Sequence, residues 1–542
     1  MLFNSHTFIF GFLPMTFIGF YSIALLSRPW ALRWLIFASL SFYAWWRPLN
    51  VLIIAPSILV NFALARLLLR LGADDTRRRL SLTVLIAGLA FNVAFLGVFK
   101  YTDFFRGAMN DVFGTSLVMT HIILPLGISF ITFQKIAFLI DIQAGRVRSF
   151  TLQDYCLFVL FFPQLIAGPI VHFREMMPQF HVAPQRIDKE HLAVGVTLFF
   201  SGLFKKVFIA DSLAPLVTPI YEQAVGSGGT SFLLAWMAAI GFTLQIYFDF
   251  SGYTDMALGC ARLFGIRLPP NFNSPLKASS IIDFWLRWHM TLTRFLTAYI
   301  YNPLLLHLTR RRLAAGLPGF GGSHTTAGAF FHLLALPTLL TMFISGVWHG
   351  AGYLFILWGL LHGVFLIINH GWRLLVPRLW PDRARYVRAM TPLGTALTLI
   401  CVATAMVLFR SSSIAAAADI LKGMIGLHGL ALPQPIYDHL GPLAGAAHAL
   451  GVTATQGGGR SFLLLMMWIP ILLLVVLTCP NTLQMLAPYE PALGVKRPPG
   501  DRPRAVALAW EASLPWALVV SVVAAVGVYS LGGQSEFLYW QF

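Results

Sequence analysis

Apolar residues in this chain come in long runs separated by short basic stretches. No Asp, Glu, Lys or Arg occurs in Met1–Ser27, Gln223–Phe248, Leu313–Trp372 or Ser461–Tyr489. About 20 apolar residues in a helix cross the hydrocarbon core of a bilayer, so each run predicts a transmembrane helix, and 313–372 holds two. Apolar segments near 7–27, 33–47, 50–69, 80–99, 116–140, 153–171, 192–210, 231–250, 327–346, 350–371, 390–409, 461–478 and 512–532 predict an all-α polytopic membrane protein. It should have about 11–13 transmembrane or re-entrant helices. The first run has neither a basic leader nor a clear small-residue cleavage site and reads as a retained span. Gly168-Pro169 and Pro269-Pro270 interrupt apolar text, which predicts tilted or re-entrant pieces whose backbone is covered by protein.

The basic residues set an orientation. Arg66, Arg70, Arg77, Arg78 and Arg79 form one cluster, the five arginines of Arg373–Arg388 a second, and Lys496–Arg504 a third. Such clusters mark the cytoplasmic side. The 411–459 segment carries only Lys422, which fits the outer side, and both termini then fall outside as well. The net charge of +17 has a membrane explanation, because the cations lie between spans and so at lipid headgroups. No nucleic-acid partner is called for. A mean hydropathy of +0.74 with 11% charged residues excludes an ordinary soluble domain. Cys156, Cys260, Cys401 and Cys479 show no CxxC spacing, against a zinc ribbon or a disulfide framework.

The organisation reads as a single membrane domain over 1–542. It has N-terminal helices over 1–250, a core with re-entrant helices over 251–372, and C-terminal helices over 373–542 with an extracytoplasmic loop near 411–460. Polar and charged residues gather between Asp249 and Arg312, while Ile282, Trp285, Leu286, His289 and Leu292 keep near-helical spacing. Amphipathic or re-entrant helices beside a cavity are expected there.

Three motifs carry candidate chemistry. Ser345-Gly346-Val347-Trp348-His349-Gly350-Ala351-Gly352 lies inside the longest charge-free run. An imidazole at that depth is costly without a partner or a task, and it suits general-base work near neutral pH. The glycines would let a thin substrate approach the backbone. The plain alternative is a histidine hydrogen-bonded across helices. In Asp283-Phe284-Trp285-Leu286-Arg287-Trp288-His289, Asp283 and Arg287 are spaced as an ion pair. Trp285 is spaced to orient His289, or the segment is an interfacial helix with tryptophans at headgroup level. In Tyr247–Asp255, Asp249 and Asp255 follow a long span without a nearby histidine. That argues for pairing with arginines and against a metal site. His332, His362 and His370 read as packed residues. Phosphate-loop, dinucleotide and HExxH motifs are absent from the sequence, against an ATP-driven pump or a zinc protease.

Taken together, FYAWW (42–46), LPLGISFITFQ (124–134), FFPQLIAGPIVHF (161–173), YFDFSGYTDMALG (247–259), NFNSP (271–275), FWLRWHMTLTRFL (284–296), SGVWHGAGYLFILWGLLHG (345–363) and FLYWQF (537–542) resemble the membrane-bound O-acyltransferase family. The likeness is to its branch of alginate O-acetylation and teichoic-acid D-alanyl transfer proteins. The resemblance implies a ring of helices around a central tunnel, with catalytic positions at His349 and His289. Trp348, Trp285, Arg287, Asp283, Asn271, Asp249 and Tyr253 are the substrate-binding candidates. It implies acetyl-CoA as donor substrate, entering from the cytoplasm, with no tightly bound cofactor. The acceptor implied is an exported polysaccharide or a secreted partner transferase, and the site the bacterial cytoplasmic membrane. D-alanyl, lipid or protein acylation within the same family, or a transporter or flippase without covalent chemistry, are the alternatives. The extra C-terminal spans favour the polysaccharide-acetylating side.

Overall fold

The computed structural model describes all residues except 73–74, 225–228, 322–324, 456–457, 496–507, 533–537 and 539–542. The basic run at Lys496–Arg504 and all of the terminal FLYWQF motif but Leu538 therefore lie outside the described residues. Among the described residues, nine helices are long and apolar enough to cross a membrane: Thr7–Ala24, Leu49–Leu71, Arg78–Phe113, Lys189–Gln223, Phe232–Leu263, Ala327–His349, Tyr353–Leu379, Arg383–Arg410 and Gly459–Tyr489. Leu514–Tyr529 is a shorter apolar helix, and Arg28–Ala44 is a further helix of 17 residues. The strands described are Leu430–Pro433 and Val452–Thr455, paired in parallel. The protein is thus all-α and polytopic.

Small residues bring the central helices together. Lys189–Leu203 lies along Phe232–Leu263 with Gly195 against Gly259 and Gly202 against Gly252. A Cβ on Gly259 would come within 2.6 Å of the Gly195 carbonyl oxygen. With no hydrophobic drive between helices in lipid, such close backbone approach is what packs them. The same device joins Leu336–His349 to Tyr353–Leu379, where Gly346 faces Phe355 and Gly359. The glycines beside His349 thus serve helix crossing, and Gly350 too lies against the Phe355 ring. Phe355 thus occupies the space beside Gly346 and Gly350, while Gly352 makes only ordinary contact with that ring.

The helices have two distinguishable ends. Arg78–Phe113 starts at its arginines, and Ser81 Oγ donates to Gln143 Oε1 at 2.7 Å, so the C-terminus of Ile128–Gln143 lies at the same end. Arg28 reaches the His181 carbonyl there too, 2.8 Å away. At the opposite end the Phe232 N–H donates to the Gly429 carbonyl, and Asp419 accepts from Thr230 Oγ1 at 2.6 Å. Helix Phe232–Leu263 therefore runs from the 411–459 segment to the arginine-bearing end.

Two predicted spans differ in detail. The 116–140 segment is helical only from Ile128. Residues 114–127 form no helix, because side chains of the preceding helix hold them irregular. Asp103 Oδ1 accepts from the Thr120 N–H at 2.8 Å, and Asn110 Oδ1 accepts from the Leu117 N–H at 2.8 Å. The 153–171 segment divides into Leu152–Leu160 and Phe162–Leu165, then runs irregular through Gly168-Pro169, as the break there predicts. The polar middle of the chain holds the short helices Ile281–Trp285 and Met290–Leu296, and Asn302–Ala314 carries the Arg310–Arg312 run at its end.

Candidate active site

The near-helical spacing from Ile282 to Leu292 does not form one helix. Helix Ile281–Trp285 stops at Leu286, and His289 starts Met290–Leu296 with φ 43° and ψ 50°. A histidine in this left-handed region costs energy and needs support from its surroundings. The segment 271–273 supplies it. The Met290 N–H donates to the Asn271 carbonyl at 2.9 Å, and the Asn273 N–H to the Arg287 carbonyl at 3.0 Å. Asn271 Oδ1 accepts from Thr291 Oγ1 at 2.6 Å, and Thr291 Oγ1 accepts from the Ile170 N–H at 3.0 Å. Irregular backbone inside the protein is thus satisfied by protein donors and acceptors.

His349 ends the helix Leu336–His349. Its ring lies 4.9 Å from Trp358, 4.9 Å from Trp348 and 5.4 Å from Phe409, centroid to centroid. The His289 ring stands 6.3 Å away, at 61° to it. Phe250 meets His289 edge-on at 4.9 Å. Two histidines separated by 60 residues in sequence are therefore neighbours in one aromatic chamber, both buried.

Two cavities approach this pair. One, of about 280 Å³, is lined by Trp46, Arg47, Asn50, Lys100, the 123–130 segment, Trp348 and His349 among others. Asn50 lies at the start of Leu49–Leu71 and Arg70 in its last turn, so this cavity belongs to the end away from the arginines. The other, of about 490 Å³, is lined by Pro269, Pro270, Asn273, Met290, Thr291, Arg294 and the 483–495 segment. It touches the two residues after His289 and lies beyond the Leu263 end of its helix, on the arginine side. Phe133 stacks on Trp348, which lines the first cavity, at 5.1 Å, and on Phe295, the neighbour of Arg294 in the second, at 4.2 Å, each at 14°.

The other candidates divide. Trp348 lines the first cavity beside His349. Asn271 braces the His289 turn. Arg287 Nε binds Asp283 Oδ1 at 2.8 Å, the expected i,i+4 pair, away from the imidazoles. Trp285 packs edge-on against His362 at 5.2 Å and Trp358 at 5.9 Å. The expectation that it orients His289 directly is corrected, since the helix ends before that register is reached. Asp249 pairs with Lys206 at 2.7 Å and Asp255 with Lys205 at 2.6 Å. Their partners are lysines, where arginines were expected. The Leu538 backbone also hydrogen-bonds Asp249. Tyr253 stacks on Phe3 at 4.9 Å and its phenol oxygen meets the Ala167 backbone.

Sequence reading missed three contributors. Lys100 lines the first cavity, and its place in an apolar span was the signal. Trp358, fully buried, walls His349. Tyr299 joins Asp141 and His172 on the arginine side, its hydroxyl 3.0 Å from each.

The membrane-bound O-acyltransferase family model matches residues 142–321. A peptidoglycan O-acetyltransferase of Helicobacter pylori is 40% identical over 80% of this chain and 81% of its own length. A probable alginate O-acetylase of Pseudomonas aeruginosa is 36% identical over 78% of this chain and 75% of its own. A teichoic acid D-alanyltransferase of Streptococcus thermophilus is 31% identical over 46% of this chain and 57% of its own.

Proposed function

Because this chain belongs to the membrane-bound O-acyltransferase family, we propose that it moves an acetyl group from acetyl-CoA on the cytoplasmic, arginine-bearing side to a hydroxyl acceptor presented from the opposite side. The observation that carries this reading is the His289–His349 pair, 6.3 Å apart, with one cavity reaching His349 and another reaching Met290 and Thr291 next to His289.

His349 is the general base. It takes the proton of the acceptor hydroxyl as that oxygen bonds to the thioester carbonyl carbon; the C–S bond then breaks and the proton leaves with the CoA thiol. A positioned base contributes about 10²–10⁴-fold. His289 polarises the donor carbonyl or holds the acceptor. Arg294 and the exposed Arg310 and Arg311 place positive charge on the side where CoA phosphates arrive. The acceptor is an exported polysaccharide, reached directly or through an extracytoplasmic partner transferase. The names of the H. pylori and P. aeruginosa relatives support a glycan. The protein then sits in a bacterial cytoplasmic membrane with both termini outside.

The test uses protein reconstituted in lipid nanodiscs with acetyl-CoA and a hydroxyl-bearing glycan acceptor, reading free thiol. Wild type should release CoA thiol and His349→Ala should lose nearly all of it at unchanged melting temperature. Undiminished release by a folded His349→Ala protein overturns the role. Mass analysis of glycan, lipid and lipoprotein fractions from a deletion strain identifies the acceptor, and a D-alanyl ester in place of acetyl would correct the donor.

A further inference from the structure

Helix Leu336–His349 ends without a closure of its own. Gly350 is extended, at φ −158° and ψ 154°, so no left-handed residue folds an N–H back onto the last turn. The final carbonyls need donors from elsewhere, and one dipeptide of a distant helix provides them. Lys100 Nζ donates to the Trp348 carbonyl at 2.5 Å and to the His349 carbonyl at 3.1 Å. The Tyr101 hydroxyl donates to the Val347 carbonyl at 2.6 Å. Three consecutive carbonyls, ending at His349 itself, are thus held by adjacent residues of Arg78–Phe113.

A cation at this place also meets the negative end of the helix dipole, and its ammonium lies 5.9 Å from the centroid of the Trp348 ring. Holding an ammonium within an apolar span is costly. A neutral donor could close a helix end more cheaply, so the lysine needs a reason beyond closure. The reason on view is its location: Lys100 and His349 line the same cavity.

We propose that Lys100 and Tyr101 are positioning residues that fix the backbone of His349, and with it the angle at which the imidazole faces the cavity. This rests on the reading of His349 as the base. Releasing the three carbonyls lets the last turn fray, and a displacement of about 1 Å at a reacting group costs on the order of 100-fold in rate.

The experiment compares wild type with Lys100→Met, Lys100→Arg, Tyr101→Phe and His349→Ala in nanodiscs. It reads thiol release from acetyl-CoA with a hydroxyl-bearing glycan acceptor present and, separately, the rate at which diethyl pyrocarbonate labels His349, by peptide mass, with exposed His439 as internal reference. Lys100→Met should lower kcat about 100-fold with the KM for acetyl-CoA unchanged, and should alter His349 labelling relative to His439. Lys100→Arg keeps charge and donors and should recover most of the rate. Tyr101→Phe, losing one hydrogen bond, should cost about 10-fold. Should Lys100→Met not fold, the arginine and phenylalanine variants decide. Wild-type kcat and wild-type labelling in folded Lys100→Met, or in Tyr101→Phe in its place, overturn the proposal. If His349→Ala released thiol normally, the base reading would fall, while the labelling comparison would still decide whether Lys100 sets the imidazole.

Discussion

Thr291 Oγ1 donates to Asn271 Oδ1 across 2.6 Å, and this bond, with that of Met290 N–H to the Asn271 carbonyl, holds the turn in which His289 is left-handed. Asn271→Ala leaves the Thr291 hydroxyl without that acceptor in a buried setting. Losing a buried hydrogen-bond partner costs about 1–3 kcal/mol. A lower melting temperature in detergent and a reduced transfer rate are expected together. A variant with both unchanged would show that the 271–273 segment does not brace the site.

Arg294 grips Glu175 with two parallel bonds, Nη1 to Oε1 at 2.8 Å and Nη2 to Oε2 at 3.0 Å. It ties helix Phe173–His181 to Met290–Leu296 at the mouth of the arginine-side cavity. The Arg294 side chain is 37% exposed, so solvent limits the coupling to about 1 kcal/mol at most. Arg294→Lys loses the fork geometry. A double-mutant cycle with Glu175→Gln should return a small coupling that shrinks with added salt, and a salt-independent coupling of several kcal/mol would contradict this account.

Lys206 is buried between two carboxylates, Asp249 Oδ1 at 2.7 Å and Asp211 Oδ1 at 2.5 Å. Removing one member of a buried ion cluster strands the rest and costs about 3–5 kcal/mol. Lys206→Met should therefore unfold at markedly lower temperature or fail to accumulate. Lys206→Met combined with Asp249→Asn should recover part of the loss, because one stranded charge is gone. Equal stability of the single and double variants would argue against the pairing.

Gly346 packs against the Phe355 carbonyl and against Gly359. Any larger residue forces Leu336–His349 away from Tyr353–Leu379. Overpacking of this kind costs about 1–3 kcal/mol, and here it also displaces His349 from Trp358. Gly346→Val should lose transfer activity more severely than stability. A folded Gly346→Val protein with full activity would show that this crossing does not locate the imidazole.

Charge-free runs made the spans legible, because hydrocarbon tolerates no other text of that length. Where apolar text is held irregular by a polar neighbour, composition misleads. The 116–140 segment looks like one span, and only Asp103 and Asn110, reaching forward from the previous helix, reveal the loop in its first half. The Gly-Pro break was visible, because glycine and proline together favour an interruption, although prolines such as Pro56 and Pro470 stand inside helices here. The two histidines stood out by depth and spacing and matched the resemblance, but their meeting depends on contacts between distant segments that periodicity does not encode. The spacing of Trp285 and His289 suggested one continuous helix. The turn at Leu286 follows from the Asn273–Arg287 backbone pairing, which no local pattern announces. Lys100 was readable in principle: a lysine that directly follows the apolar run 80–99 on one continuous helix is itself a signal.

The three stacked rings of Phe295, Phe133 and Trp348 also bear on what cannot pass. Their faces supply no oxygen that could replace the water around a sodium ion or a hydronium. Under the proposed transfer, the group handed over at the imidazoles is a neutral fragment of a few atoms, whose passage moves no charge and so spends none of the voltage by which a cell makes ATP.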